Sequence, residues 1–230
     1  MRYFIFIIIS IILFSCSKGK EETQNRNITT PFNTIQAFDK VYVYFTQDTT
    51  VNLPIVRVET GSNLMKKVTT EVVDSVLQIK NSNSFIYDSV KVFVTAPHVT
   101  YIIQDGVGHI YSTNTINEKN LDYNIRNSGN VYLKLNISQT VTGHVFGIGD
   151  AYLSGKTSNH LVNIKGESFL YAHDLNTDYC FIDYYSTGEA HVNIKGQLDA
   201  VIEYTGNIYY SGNGVINLIS DIGKGKLIRE

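Results

Sequence analysis

The chain has 230 residues, with 19 Lys and Arg against 21 Asp and Glu, so its formal net charge is −2. This balance argues against nucleic acid as the main partner, because contacts with phosphates need a basic surface. The 16 Tyr and 11 Phe, many β-branched residues and no helical periodicity beyond the first residues predict an all-β protein.

The first residues have the pattern of an export signal. A short basic start precedes an apolar run over residues 4–14, which is shorter than the roughly 20 residues that cross a bilayer as a helix. The run ends in Leu-Phe-Ser-Cys, which resembles a bacterial lipobox, a signal in which the cysteine is acylated and the chain is cut before it. We therefore expect a lipoprotein signal peptide over residues 1–15 and lipidation of Cys16. The alternative is ordinary signal cleavage beside an incidental cysteine.

Residues 16–30 are expected to form a polar tether, since residues 17–25 carry no hydrophobic side chain. The Cys-Ser-Lys-Gly-Lys-Glu start also resembles signals that send lipoproteins to the outer face of the outer membrane. We therefore predict that the protein is secreted and anchored by lipid to the bacterial outer membrane. It is either exposed at the cell surface or carried on a plain solvated tether.

Residues 31–97 are predicted to be an irregular β region that ends near Pro97. It is either a separate sandwich-like unit or a set of earlier, less regular coils, and we favour the coils. The expected strands cover residues 35–45, 55–60, 68–73, 76–80 and 90–95.

A repeat of about 20 residues follows over residues 98–230. Its anchor positions are Gly108, Gly129, Gly149, Ser168, Gly188 and Gly206, at intervals of 21, 20, 19, 20 and 18 residues. Apolar residues alternate through each anchor, which places one face in an interior. A meander would need hairpin turns every 8–12 residues or so, whereas equal spacing favours a right-handed parallel β-helix, or β-solenoid, of about 20 residues per coil. The last residues are expected to form an incomplete, capping turn.

Two stretches resemble a known family. Residues 186–212 carry Ser-Thr-Gly-Glu-Ala-His and then Leu-Asp-Ala-Val-Ile-Glu-Tyr-Thr-Gly-Asn-Ile-Tyr-Tyr-Ser-Gly, and residues 32–43 carry Phe-Asn-Thr-Ile-Gln-Ala-Phe-Asp-Lys-Val-Tyr-Val. The chain thus resembles the auto-transporter adhesin, head GIN domain family over roughly residues 30–228. Two anchors, at Ser168 and Gly188, lack one glycine of the family's repeat. The resemblance implies a β-solenoid in the cell envelope with an adhesin-like role.

Three residues after each anchor stands an aromatic side chain that the alternation directs outward. Coils about 4.8 Å apart bring such rings within stacking distance. The column is a candidate binding surface for a glycan or a surface protein; alternatively, its rings stabilise the sheet or are covered by the amino-terminal half. Its members are Tyr111, Tyr132, Tyr152, Tyr171, His191 and Tyr209.

The sequence gives little support for a catalytic site or a metal-binding site. Asp150 and Glu189 are two coils apart, about 9.6 Å, at the edge of the separation that inverting glycosidases use, but Phe169 lies between them and solvated turn residues explain them better. The six histidines show no ligand spacing, calcium-binding nonapeptides are absent, and Cys180 has the surroundings of a small buried hydrophobe. We predict no enzyme activity, no metal and no cofactor.

Three functions are therefore considered. The first is an adhesion or binding module at the cell surface. The second is a structural or envelope-stress lipoprotein without a dedicated ligand, and a carbohydrate-active enzyme is a distant third.

Overall fold

The computed structural model describes residues 19–82 and 90–230. The expected signal peptide over residues 1–15 and the expected lipidation site Cys16 lie outside these residues. Strands account for 71% of the residues and helix for 2%, which confirms the all-β prediction. Among the described residues, no helix has the length and hydropathy needed to cross a membrane.

The strands bend around the corners of the coils, so several are long. Their bounds are β1 (Glu21–Arg26), β2 (Thr34–Asp39), β3 (Val41–Gln47), β4 (Ile55–Gly61), β5 (Val68–Val73), β6 (Val76–Asn81), β7 (Val90–Ala96), β8 (Tyr101–Gly106), β9 (Ile110–Ile125), β10 (Val131–Gly147), β11 (Ala151–Gly166), β12 (Leu170–Ser186), β13 (Ala190–Ile202), β14 (Ile208–Gly212), β15 (Val215–Asp221) and β16 (Leu227–Arg229). One helical turn, α1 (Ser62–Met65), separates β4 from β5.

Strands β9 to β14 form a parallel β-solenoid of about six turns, with coils about 20 residues apart, as the repeat predicts. The residue two places after each anchor pairs with its counterpart in the next coil. This in-register column holds Ile110, Val131, Ala151, Leu170, Ala190, Ile208 and Leu227. Parallel pairing without helical crossovers is possible because each coil makes a full circuit before it returns to the sheet.

The anchor glycines lie directly over one another. A Cβ atom on Gly129 would stand 2.0 Å from the carbonyl oxygen of Gly108, and one on Gly149 would stand 2.2 Å from that of Gly129. The backbone of the preceding coil occupies the space that a side chain would need, so glycine is required there. Gly225 has the same relation to Gly206 at 2.0 Å and is a further anchor in the last turn.

The interior is one contiguous apolar core that runs from Phe32 to Ile208. It contains a polar pair, in which the Tyr123 hydroxyl and His160 Nε2 are 3.1 Å apart and both side chains are buried. The Tyr123 ring occupies the space beside Gly143, where a Cβ would come within 2.3 Å of it. Cys180 is also buried, and it lies in register with His160 of the preceding coil.

Strands of the amino-terminal part continue this stack directly. β2 is parallel to β6 and β8, and β3 is parallel to β7 and β9. At the outer side the direction changes, because β4 runs antiparallel to β7, β1 antiparallel to β4, and β5 antiparallel to β6. β1 is the outermost strand on this side, and its six residues are all polar.

The junction between the two parts is hydrogen-bonded through the buried Gln47. Its Nε2 donates to the carbonyl oxygen of Pro97 at 3.1 Å and to Glu118 Oε1 at 2.9 Å, and its Oε1 accepts from the backbone N–H of Asn117 at 2.7 Å. A buried amide with these partners is satisfied and fixes the register of β3 against β9.

The carboxyl-terminal end is built differently. Within the described chain, β15 pairs with β13 and β16 pairs with β14, each on one side. The register of β15 shifts after Leu218, where Ile219 is an additional residue. β15 and β16 are therefore the edge strands of the described sheet at this end.

Candidate binding site

The predicted aromatic column exists as a ladder of stacked rings on the outside of the solenoid. Successive ring centroids are 4.5–5.9 Å apart, and the ring planes are within 16° of parallel. All six side chains are half-buried. We call this column the tyrosine ladder: Tyr111, Tyr132, Tyr152, Tyr171, His191 and Tyr209.

The tyrosine ladder extends further than the repeat predicts. Tyr44 of β3 stacks on Tyr111 at 5.2 Å, Phe93 of β7 stacks on Tyr44 at 5.1 Å, and the Arg57 guanidinium lies 4.3 Å from the centre of the Phe93 ring. The amino-terminal part therefore continues the ladder instead of covering it. These three residues lie outside the 20-residue period, and alternation within β3 and β7 is the only sequence signal for the two rings.

Stacking determines which part of each ring a ligand could reach. The faces of neighbouring rings contact each other along the ladder, Arg57 covers Phe93 at one end, and Ile228 pairs with Tyr209 at the other. A ligand therefore meets ring edges and hydroxyl groups. Because the edge of an aromatic ring carries partial positive charge, it favours contact with oxygen atoms.

A polar column runs beside the tyrosine ladder, one residue after each anchor. Its side chains accept hydrogen bonds from the backbone of the next coil: Asn130 N–H donates to His109 Nδ1 at 3.0 Å, Asp150 N–H to Asn130 Oδ1 at 2.9 Å, and Phe169 N–H to Asp150 Oδ1 at 2.9 Å. Lys226 N–H donates to Asn207 Oδ1 in the same way at 2.9 Å. These residues satisfy backbone donors at a corner where the sheet ladder is interrupted.

The same column also orients tyrosine hydroxyls. Asn130 Nδ2 donates to the Tyr132 hydroxyl at 3.2 Å, and the Tyr152 hydroxyl donates to Asp150 Oδ2 at 3.5 Å. Burial, followed by the nearby Asp150 carboxylate, raises the pKa of Tyr152 to about 12. The hydroxyl therefore keeps its proton at physiological pH and acts as a hydrogen-bond donor.

The two carboxylates considered for catalysis both have partners. Asp150 accepts the Phe169 N–H and the Tyr152 hydroxyl, while Glu189 Oε1 accepts the Tyr209 hydroxyl at 3.4 Å and its Oε2 lies 3.7 Å from His191 Nε2. Each carboxylate therefore accepts a hydrogen bond from the next coil and helps to hold neighbouring coils together. Among the described residues, no group of three or more His, Cys, Asp and Glu could hold a metal ion.

A shallow groove of about 450 Å³ follows the tyrosine ladder. One wall is the ladder from Tyr111 to Tyr171, and the other is a register column of Lys134, Ser154 and Asp174. Between the walls lie Leu133 and Leu153, which point into the core and are 2% and 3% exposed. The groove thus combines ring edges on one wall with one cation, one hydroxyl and one carboxylate on the other.

Local insertions border the groove at both ends. β9 carries extra residues between Tyr111 and Thr115 relative to β10, and β12 carries an extra residue, His173, relative to β11. The β9 insertion is held by the amino-terminal part, since Thr113 Oγ1 donates to the Phe45 carbonyl oxygen at 3.1 Å. The recess spans the three spacings from β9 to β12, about 14 Å.

Comparison with protein families gives one match. The family described as "Putative auto-transporter adhesin, head GIN domain" matches residues 31–214. No curated protein matches the chain in sequence.

Solved structures show the same fold. A protein from Bacteroides fragilis described as a "putative adhesin" is 24% identical and superposes with a TM-score of 0.83, over 92% of this chain and 97% of the other. A "putative adhesin" from Parabacteroides merdae is 18% identical, with a TM-score of 0.69 and the same two coverages. A "putative lipid binding protein" from Parabacteroides distasonis is 20% identical, with a TM-score of 0.70 over 92% of this chain and 97% of the other.

Proposed function

Since the chain belongs to the auto-transporter adhesin, head GIN domain family, we propose that it is a binding module of the bacterial cell envelope. It is held by lipid on Cys16 and takes a short glycan segment in the groove beside the tyrosine ladder. The observation that carries the proposal is the groove itself, which places ring edges and polar side chains on opposite walls.

The chemistry of the groove fits a sugar. A pyranose presents a rim of hydroxyls, whose oxygen atoms suit the edges of the tyrosine rings and which hydrogen-bond with charged and polar side chains. Lys134 and Asp174 offer a donor and an acceptor at opposite ends of one wall. The sugar does not stack flat on a ring in this arrangement. The ring faces are covered by neighbouring rings, so the sugar contacts ring edges and hydroxyl groups.

Filling the groove tests the proposal. Ser154→Trp adds a bulky side chain to the wall of the groove without removing a ring of the ladder, and Lys165→Trp adds the same group at an exposed corner elsewhere in the same coil. We expect the full chain and Lys165→Trp to bind the same glycans on an array and Ser154→Trp to lose at least about tenfold in affinity. Equal binding by both variants, or no glycan binding by the wild type, would contradict the proposal.

Lipidation is tested separately. The full chain expressed in a Gram-negative host should incorporate a labelled fatty acid, and Cys16→Ser should abolish the label. Label that persists in Cys16→Ser would exclude this anchor without bearing on the groove.

One observation favours the second function, a structural lipoprotein without a dedicated ligand. The rings and several hydroxyls of the tyrosine ladder are satisfied by one another and by the polar column, so stability alone accounts for them. In that case ladder substitutions lower the free energy of unfolding while no array glycan is bound.

A further inference from the structure

The amino-terminal end of the described chain is joined to α1. The backbone N–H of Ser62 donates to the carbonyl oxygen of Lys20 at 2.8 Å. Gly19 has a φ of +77°, and a Cβ atom on it would stand 2.4 Å from Ser62 Oγ, so glycine is favoured at this position. Strand β1 then pairs with β4 along all six of its residues. The chain is therefore fixed to the body of the protein from Gly19 onward.

α1 lies at the amino-terminal end of the stack. It connects β4 to β5, and β1 and β5 are the outermost strands of the described sheet on this side. Its residues Leu64 and Met65 are buried, and Met65 belongs to the apolar core. α1 therefore covers the core at this end, and the residues that follow it are presented to the surroundings there.

Two adjacent lysines, Lys66 and Lys67, form the exposed turn between α1 and β5. Arg26 Nη2 donates to the carbonyl oxygens of Met65 and Val68, both at 3.1 Å. One guanidinium thus holds the backbone on both sides of the two lysines. The position of the turn is therefore fixed relative to β1, on which Arg26 lies.

Lys20 lies close to this turn, because its carbonyl oxygen is bonded to the first residue of α1 and the four residues of α1 rise only about 6 Å. Its side chain is exposed, like those of Lys66 and Lys67. We call these three residues the lysine cluster. It concentrates three positive charges on one rigid corner of the amino-terminal end.

The number of residues between Cys16 and Gly19 determines where a lipid on Cys16 would lie. Only two residues separate them, and three extended residues span at most about 11 Å. Acyl chains on Cys16 enter the bilayer and place this residue at the lipid head groups. The head groups then lie within about 11 Å of Gly19. The end of the stack that carries the lysine cluster therefore faces the membrane.

The charge of the lysine cluster complements an anionic lipid surface. Each basic residue close to such a surface favours contact about fivefold, and the attraction fades within the Debye length. The acidic residues of β1, Glu21 and Glu22, line a recess together with Lys91, which offsets part of their charge. The phosphates of anionic phospholipids are thus suitable partners for the three lysines.

We propose that the lysine cluster binds anionic phospholipid head groups of the membrane that holds Cys16, and that this contact stands the stack on its amino-terminal end. The contact rests on the lipid anchor of the proposed function. The sheet path of eleven strands from β1 to β16 then extends about 48 Å away from the membrane. The groove, between β9 and β12, is held roughly 20–35 Å beyond β1, where a glycan reaches it without approaching the lipid.

Amine acetylation of the lipidated protein, followed residue by residue with mass spectrometry, tests the contact. The protein is added to preformed vesicles of phosphatidylcholine, alone or mixed equally with phosphatidylglycerol. We expect Lys20, Lys66 and Lys67 to react at least about tenfold more slowly in the mixed vesicles, and high salt to remove the difference. Lys224 and Lys226 of the last turn should react equally in both. Equal rates for the lysine cluster in both lipids, or equal slowing of all five lysines, would overturn the proposal.

Charge reversal tests whether the cluster acts as a unit. Lys66→Glu with Lys67→Glu should restore fast acetylation of Lys20 in the mixed vesicles, because one lysine alone attracts the membrane weakly. Lys224→Glu with Lys226→Glu is the matched control at two exposed positions, and it should leave Lys20 slow. Lys66→Gln with Lys67→Gln removes the charges without adding opposite ones, and thermal unfolding should match the wild type. Slow acetylation of Lys20 in both cluster variants would exclude the role of the turn.

Fatty-acid labelling separates failure of the lipid anchor from failure of the contact. The wild type and the cluster variants should all incorporate the labelled fatty acid and float with phosphatidylcholine vesicles. A wild type without label overturns the lipid anchor and, with it, the premise of the contact. A labelled wild type whose lysine cluster reacts equally in both lipids overturns the contact alone.

Discussion

At its amino-terminal end the stack finishes in β1 and β5, which run antiparallel to the strands beneath them. At its carboxyl-terminal end the last turn keeps the parallel direction and leaves Ile222 three-quarters exposed. Two neighbouring antiparallel strands can be joined by a short connection, whereas neighbouring parallel strands need a connection that makes a full circuit of the coil. The two ends of the described stack therefore differ in the length of chain that each added strand requires.

The largest expected change in the free energy of unfolding comes from substituting an anchor glycine. We compare one anchor in the middle of the stack with one in the last turn. Gly149→Ala should lower the free energy of unfolding by about 3 kcal/mol, since its Cβ would meet the Gly129 carbonyl oxygen and coils on both sides prevent relief. Gly225→Ala creates the same contact but lies in the last turn, which can move outward, so we expect about 1 kcal/mol. Urea unfolding measures both. Equal losses would show that the last turn is held as firmly as the centre.

Acid should weaken the centre of the stack through His160. Burial lowers the pKa of His160 to about 4 from its ordinary 6.5, so the unfolded chain binds a proton more readily than the folded one between these values. The contribution of neutral His160 to the free energy of unfolding is therefore complete above pH 6.5. The free energy of unfolding falls by about 3 kcal/mol as the pH drops to 4. Burial raises the pKa of Cys180 to about 12 and also raises that of Tyr123, so both stay neutral in this range.

His160→Leu should flatten this part of the pH profile of the urea midpoint. His98→Ala serves as the control, because the His98 side chain is 66% exposed, and it should keep the wild-type slope. A slope that survives in His160→Leu would assign the acid effect to other groups.

The smallest effect compares two positions of the tyrosine ladder. Tyr152→Ser removes contacts with two stacked rings, at 4.5 and 4.6 Å, and should cost about 2 kcal/mol in the free energy of unfolding. Tyr209→Ser removes one stacked partner, His191 at 4.8 Å, and should cost about 1 kcal/mol. Thermal unfolding of both variants gives the comparison. A larger loss at Tyr209 would mean that the open end is stabilised mainly by the ladder.

The fold was predictable where a residue type recurs at a fixed spacing. Glycine at the anchors follows from backbone crowding between coils, and the rings of the tyrosine ladder follow from alternation around those anchors. Both signals are local and repeat five times or more, so they stand out from an unaligned sequence.

What the sequence could not predict depends on pairing between distant residues. Tyr44 is 67 positions before Tyr111 and outside the period, so nothing in the spacing links the two rings. The reversed direction of β4 and β5 depends on loop geometry. From the sequence alone the polar column has the pattern of solvated turn residues, because its backbone partners lie a whole coil away. The groove likewise results from insertions in β9 and β12 that a repeat alignment treats as irregularities.

The anchor spacing has a consequence for the reach of the molecule. Since each coil contacts its neighbours through the same anchor position, a glycine or Ser168, and the same ring position, a whole unit of about 20 residues could be gained or lost between β10 and β12 without altering either terminus. Each such step would lengthen or shorten the protein by about 4.8 Å. The length of the stack is thus adjustable by duplication alone.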